Sequence, residues 1–127
     1  MSVKIVTDQN MSLVLEKHNI IFLDFWASWC EPCKVFGPIY ERVAHAHPDI
    51  FFGKVNTETE QLLSEDFQIK SIPTLVILKE GTIIYSESGV VPEYILNNIV
   101  SEVRKIDIAS LAQENNIDNN VDIKKDE

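Results

Sequence analysis

Residues 20–46 read IIFLDFWASWCEPCKVFGPIYERVAHA, and the order of patterns inside that stretch decides the fold. IIFLDFWA, residues 20–27, is apolar throughout except for Asp24, as a central strand covered on both faces would be. From Cys30 to about Ala46 the spacing turns helical. Val35, Ile39 and Val43 form one row, with Phe36, Tyr40 and Ala44 beside it. Pro38 interrupts that helix and removes one amide donor, which predicts a kink. Between strand and helix stands Trp29-Cys30-Glu31-Pro32-Cys33-Lys34.

Outward from this stretch, strands and helices alternate. Upstream, Val3–Val6 is a short apolar run. Residues 8–18 read as a weak helix on Met11, Val14, Leu15 and His18, with Asp8 as its cap. Downstream, residues 50–56 (IFFGKVN) form a third strand, and residues 58–67 a helix carrying Leu62, Leu63 and Phe67. Pro73 precedes the apolar strand TLVILK, and Glu80-Gly81 turns it back into TIIYSES as an antiparallel hairpin. Pro92 and Glu93 then open a last helix with the stripe Ile95, Leu96, Ile99, Val100 and Val103. The order β-α-β-α-β-α-β-β-α predicts an α/β fold with a central mixed sheet and helices on both faces.

Two Cys spaced as Cys30 and Cys33 are, on a helix N-terminus, can close a small disulfide ring. The free amides and dipole of the helix favour a thiolate on the first Cys. The second, one turn inward, can attack a mixed disulfide formed by the first. Pro32 stiffens the turn. Half of a zinc site is the competing reading. It would need two more ligands, yet the chain has no other Cys, and His18, His45 and His47 lack a finger-like spacing from the pair. The redox reading is favoured and no metal is expected.

Asp24 stands alone in its apolar strand, on the same face as Phe22 and Trp26 by alternation. Buried there, its carboxyl would have a raised pKa and could shuttle a proton for a nearby thiol. At the strand end it would be a partly exposed acid. Lys54, in the third strand, is either its partner or a side chain that snorkels to the surface. Pro73 at a strand start is ordinary for a residue without an amide donor. His45 and His47, two apart on a helix, do not face one another and read as solvated surface.

The composition bounds the rest. With 127 residues, 45% apolar and 24% charged, the chain suits one domain with a real core. Four Gly, five Pro and two Cys exclude collagen-like, Pro/Gly-disordered and disulfide-dense classes. The formal charge of −9 disfavours a nucleic-acid partner. Residues 107–127 hold six acids against two bases, are Asn-rich and lack aromatics. They read as an extension, a helical turn and then disorder, on a domain at 1–106. MSVKIVTDQN lacks the apolar core of a secretory signal, and no run is long enough to span a membrane. A cytoplasmic location without membrane partners is the expectation. In that reducing compartment two close Cys are more often catalytic or metal-binding than structural.

Taken together, these residues resemble the thioredoxin family. The resemblance runs through most of residues 1–106. It is carried by Asp24-Phe25-Trp26-Ala27, Trp29-Cys30-x-Pro32-Cys33-Lys34, Pro38, Lys54 with Asn56, Ile72-Pro73-Thr74, Lys79 with Gly81, and Gly89. It implies a thioredoxin fold and a thiol–disulfide oxidoreductase. Cys30 would be the exposed nucleophile, Cys33 the resolving thiol and Asp24 the buried acid/base aided by Lys54. Pro73 would be cis and face the disulfide, and Trp29, Ile72, Pro73 and the Gly89 loop would form an apolar groove for client peptides. Electrons would come from an NADPH-dependent flavoprotein thioredoxin reductase, with no cofactor bound beyond the Cys30–Cys33 disulfide itself.

Three features depart from the family pattern: Glu31 and Ser71 replace glycines usual there, and the 107–127 extension exceeds the typical domain. Glu31 puts a negative charge beside Cys30, which opposes its thiolate and predicts a reducing couple. Ser71 adds a polar side chain at the groove rim. The function expected is reduction of protein disulfides. Two alternatives stay open: a thioredoxin-like binding or adaptor module, and an oxidase or isomerase using the same pair. The Cys-x-x-Cys spacing alone does not fix the direction of electron flow.

Overall fold

Strand and helix follow one another in the expected order: β1 (Val3–Ile5), α1 (Met11–Lys17), β2 (Ile20–Trp26), α2 (Glu31–Ala46), β3 (Phe51–Asn56), α3 (Gln61–Asp66), β4 (Thr74–Lys79), β5 (Thr82–Ser88) and α4 (Glu93–Lys105). The structure, a computed structural model, describes residues 2–111. The strands form one mixed sheet in the order β1-β3-β2-β4-β5. β1, β3 and β2 run parallel, while β4 is antiparallel to β2 and to β5.

Alternation along the central strands sorts side chains into two cores. Phe22, Phe52, Leu75 and Ile77 meet Phe36, Tyr40 and Val43 of α2 and Leu96, Val100 and Val103 of α4 on one face. Ile21, Leu23, Phe25, Val55, Val76 and Leu78 meet Met11 and Val14 of α1 and Leu63 of α3 on the other. Covered on both faces, β2 and β4 can afford almost no polar residue, and both read as near-continuous apolar runs.

Two local expectations need correction. The core-facing row of α2 is Phe36, Tyr40, Val43 and Ala44, whereas Val35 is 59% exposed. Both rows are apolar, and the helix turns toward the sheet the one whose aromatic rings bury more area. Pro38 lies inside the 16-residue helix without ending it. Asp8 does not cap α1, whose N-cap is Asn10. Its carboxylate instead accepts from the Leu63 amide at 2.9 Å, at the start of α3, while the Asp8 amide donates to Glu60 at 2.9 Å.

The hairpin closes as read. Glu80 and Gly81 both have positive φ, 51° and 78°, the pair of values a two-residue type I′ turn requires. Lys79, at the end of β4, is buried on the α2/α4 face, a place its neighbours in sequence do not announce. Its ammonium donates to the carbonyls of Val103, Arg104 and Ile106 at 2.8, 3.2 and 2.6 Å. A cation is thereby placed on the negative end of α4, satisfying acceptors the helix leaves open. Beyond α4, residues 108–111 make a helical turn. The rest of the expected 107–127 extension lies outside the described residues.

Candidate active site

The β2–α2 junction builds the site. Cys30 is the N-cap of α2, with Glu31 and Pro32 in its first turn, and its sulfur accepts the Cys33 amide at 3.2 Å. Cys30 and Cys33 are joined as a disulfide with Cα atoms 5.2 Å apart. An amide donating to Sγ, at the positive end of a helix, stabilises charge on that sulfur once the pair is reduced. The loop before Cys30 is pinned from β3's end. Thr57 donates its amide to the Trp26 carbonyl at 2.9 Å, and Ser28 donates from N and Oγ to Glu58 at 3.1 and 2.8 Å. Those Ser28 donors hold the exposed Glu58 carboxylate below its usual range.

The expected exposure of Cys30 is not found: it is 3% exposed and Cys33 5%. As N-cap, Cys30 folds its sulfur back over the helix start, where Ala27, Trp26 and Ile72 pack on the pair. Trp29, next in line, is 67% exposed.

Ile72 lies against Cys30, and Pro73 and Gly89 are joined to one another beside it. The Ile72–Pro73 bond is cis, and the Ile72 carbonyl oxygen lies 3.8 Å from Cys30 Sγ. Gly89 adopts φ 107°, a conformation closed to side-chain-bearing residues, and from it donates its amide to the Pro73 carbonyl at 2.8 Å. Trp29 and Ile72 border a depression of about 390 Å³ that Thr57 and Ile69 also line. Glu31 is exposed and ion-paired with Lys34 at 3.1 Å, which offsets the charge it presents to Cys30.

Asp24 lies beneath. It is 4% exposed, its Oδ1 has no hydrogen-bond partner, and burial raises its pKa from 3.8 to about 7 against the opposing pull of Lys54. The strand-end reading is thus excluded. Lys54 sits opposite Asp24 in the β2–β3 register, half-buried, with its ammonium 5.6 Å from the Trp26 ring centroid. Asp24, Lys54, Trp26 and Cys33 are among the residues that line one cavity of about 470 Å³. A carboxyl that titrates near neutrality therefore shares a space with the inner cysteine. Tyr40, which the sequence marked only as core, donates its hydroxyl to Gly53 O at 2.8 Å, and burial first of all holds its pKa well above 10.0.

His45 is exposed, as expected, whereas His47 is half-buried. Ser2 Oγ lies 3.3 Å from His45 Nδ1, and His47 Nε2 lies 3.1 Å from Asn97 Oδ1. Arg104, which forks onto Asp49 at 2.7 and 3.0 Å, reaches His47 as well. The His47 and Arg104 contacts tie the end of α2 to α4.

Comparisons with known proteins agree with this geometry. The family model described as Thioredoxin matches residues 2–102. A putative thioredoxin 2 of Streptomyces coelicolor is 42% identical over 81% of this chain and 77% of its own. A thioredoxin of Mycoplasmoides gallisepticum is 31% identical over 76% of this chain and 96% of its own. A solved Plasmodium falciparum thioredoxin superposes with TM-score 0.73 at 28% identity, over 79% of this chain and 98% of that one. With a Cys-x-x-Cys disulfide on a helix N-terminus facing a cis-proline, and a matching domain across residues 2–102, the chain belongs to the thioredoxin family.

Proposed function

We propose that this thiol–disulfide oxidoreductase reduces client disulfides with Cys30 as nucleophile, Cys33 as resolving thiol and Asp24 as the acid/base between them. The observation that carries the reading is the shared cavity of Asp24 and Cys33, beneath a Cys30 sulfur held by the Cys33 amide. The Cys30 thiolate attacks one sulfur of a client disulfide; that S–S bond breaks and the other client sulfur leaves as a thiol with a proton from solvent. Asp24 takes the proton of Cys33, whose thiolate attacks Cys30 Sγ, forming the Cys30–Cys33 bond and expelling the second client sulfur, which leaves as a thiol with the proton Asp24 took up. Two electrons and two protons pass to the client.

Lys54 favours the ionised form of Asp24 and so enlarges the fraction able to accept a proton near neutral pH. Trp29, Ile72, Pro73 and Gly89 receive the client segment, while Glu31 and Pro32 adjust the couple from the first turn of α2. The two sulfurs carry the electrons, so neither metal nor bound organic cofactor is required. Members of this family are commonly recharged by a flavoprotein reductase drawing on NADPH, and such a donor is the partner proposed. A pair that must be kept reduced also implies a reducing, cytoplasmic compartment. Among the described residues no helix is long and apolar enough to cross a membrane.

Stoichiometry tests the scheme. Reduced protein mixed with insulin, with no other thiol present, is quenched by alkylation and weighed by mass spectrometry. One Cys30–Cys33 disulfide is expected for each insulin disulfide lost. Insulin left intact, or reduced without oxidation of the pair, would overturn the reading.

A further inference from the structure

Ser71 and Ser88, which the mechanism above does not use, close a ring of hydroxyls around the cis-proline loop. Ser71 Oγ donates to Ser88 Oγ at 2.7 Å, and Thr74 Oγ1 donates to the Ser71 carbonyl at 2.5 Å. Ser88 Oγ and Thr74 Oγ1 lie 2.9 Å apart. Each hydroxyl has one proton, so the direction of that last bond is fixed. Ser71 spends its proton on Ser88 and Thr74 spends its own on Ser71 O, leaving Ser88 to donate to Thr74. The ring therefore starts and ends on Ser71, with every bond polarised the same way round. Ile72 and Pro73 lie between its two anchor points, Ser71 and Thr74, and the third member stands on β5 directly opposite Thr74. One residue on, Gly89 donates to the Pro73 carbonyl at 2.8 Å. The segment carrying the Ile72 carbonyl, 3.8 Å from Cys30 Sγ, is thus clamped to the end of β5 by side chains as well as by main chain.

We infer that Ser88, together with Ser71, is a positioning residue for client recognition, holding the Ile72–Pro73 edge of the groove at the height of the Cys30 sulfur. Released from the ring, residues 71–73 lose a restraint that a docking peptide would otherwise find already in place, and the ordering entropy falls on binding. A small disulfide that meets only the sulfur does not draw on that edge. The inference rests on the proposed reductase function and names the residues that set the client affinity of that site.

The test compares Ser71→Ala, Ser88→Ala, the double variant and Ser88→Thr, using insulin as a protein client and hydroxyethyl disulfide as a small one. Ser88→Ala is expected to raise KM for insulin by about threefold to tenfold, the range a lost hydrogen bond gives, with kcat and the hydroxyethyl disulfide rate unchanged. Ser71→Ala should do the same and the double variant no more, because one break opens the ring. Ser88→Thr, which keeps the hydroxyl, should restore KM. A KM within about 1.5-fold of the parent would overturn the inference, as would equal losses on both disulfides or additive effects of the two alanines. A parent protein that reduces neither disulfide would instead bring down the reductase reading itself.

Discussion

Cys33→Ser is expected to stop the reaction halfway, with the client held on Cys30 as a mixed disulfide. The outer sulfur would still be activated by the helix N-terminus and could attack, but nothing one turn inward could displace the adduct. Steady turnover should fall by on the order of a thousandfold or more, since the two cysteines act as a unit. Mass spectrometry of the quenched mixture should show protein plus client joined by one disulfide. Cys30→Ser should lose turnover equally and give no such adduct. That asymmetry is the point of the pair of variants, because both sulfurs are nearly buried, at 3% and 5% exposure, and accessibility alone does not assign their roles. The assignment rests on Cys30 being the N-cap that receives the Cys33 amide. An adduct that builds up on Cys33 in Cys30→Ser would reverse it.

Asp24→Asn is expected to slow the second step and stabilise the fold at once. As general base for Cys33, Asp24 must be ionised, so resolution should quicken as pH rises through about 7. Asn cannot accept that proton, and resolution should drop by about a hundredfold and lose the inflection, while adduct formation on Cys30 continues. The stability effect follows from linkage. The carboxyl titrates at 3.8 when unfolded and about 7 when folded, so between those values the unfolded chain binds fewer protons. Stability therefore falls as pH rises across that window. Below pH 3.8 there is no penalty, and above about 7 it is complete, about 4 kcal/mol for that rise at ~1.4 kcal/mol per tenfold change in proton affinity. Urea unfolding of Asp24→Asn should lack this loss and exceed the parent in stability at pH 8. Parallel stability curves for the two proteins would show that Asp24 is not the buried, proton-holding group described.

How far the sequence carries these conclusions depends on the range of the interaction. The β2–active-site–α2 unit is legible because a continuous apolar run gives way to a helical spacing near 3.6 within a few residues, and Asp24 stands out because that run isolates it. The Glu80-Gly81 turn is legible for a related reason, as both residues must tolerate positive φ at adjacent positions. Partners far along the chain leave no such trace. Asp8 looks like a cap for the helix that follows it, yet its carboxylate serves Leu63, 55 residues on. Nothing beside Lys79 in sequence marks it as buried, and only the docking of α4 against the sheet makes it a cap for that helix. Ser71 could be placed at the groove rim, but Ser88 could not be joined to it before β5 was registered against β4. The burial of Cys30 was hidden for the same reason, since it depends on how the N-cap folds against Ile72 from a distant loop.

The measurement that tests the reductase function most directly is an equilibrium thiol titration of Cys30–Cys33 in glutathione and dithiothreitol redox buffers, read by trapping the free thiols. A strongly reducing couple is the predicted result: the pair stays a disulfide in glutathione buffers and opens only in dithiothreitol. A pair that glutathione readily reduces would place the couple at or above the glutathione poise, contradict the reductase assignment and turn the electron flow toward client oxidation.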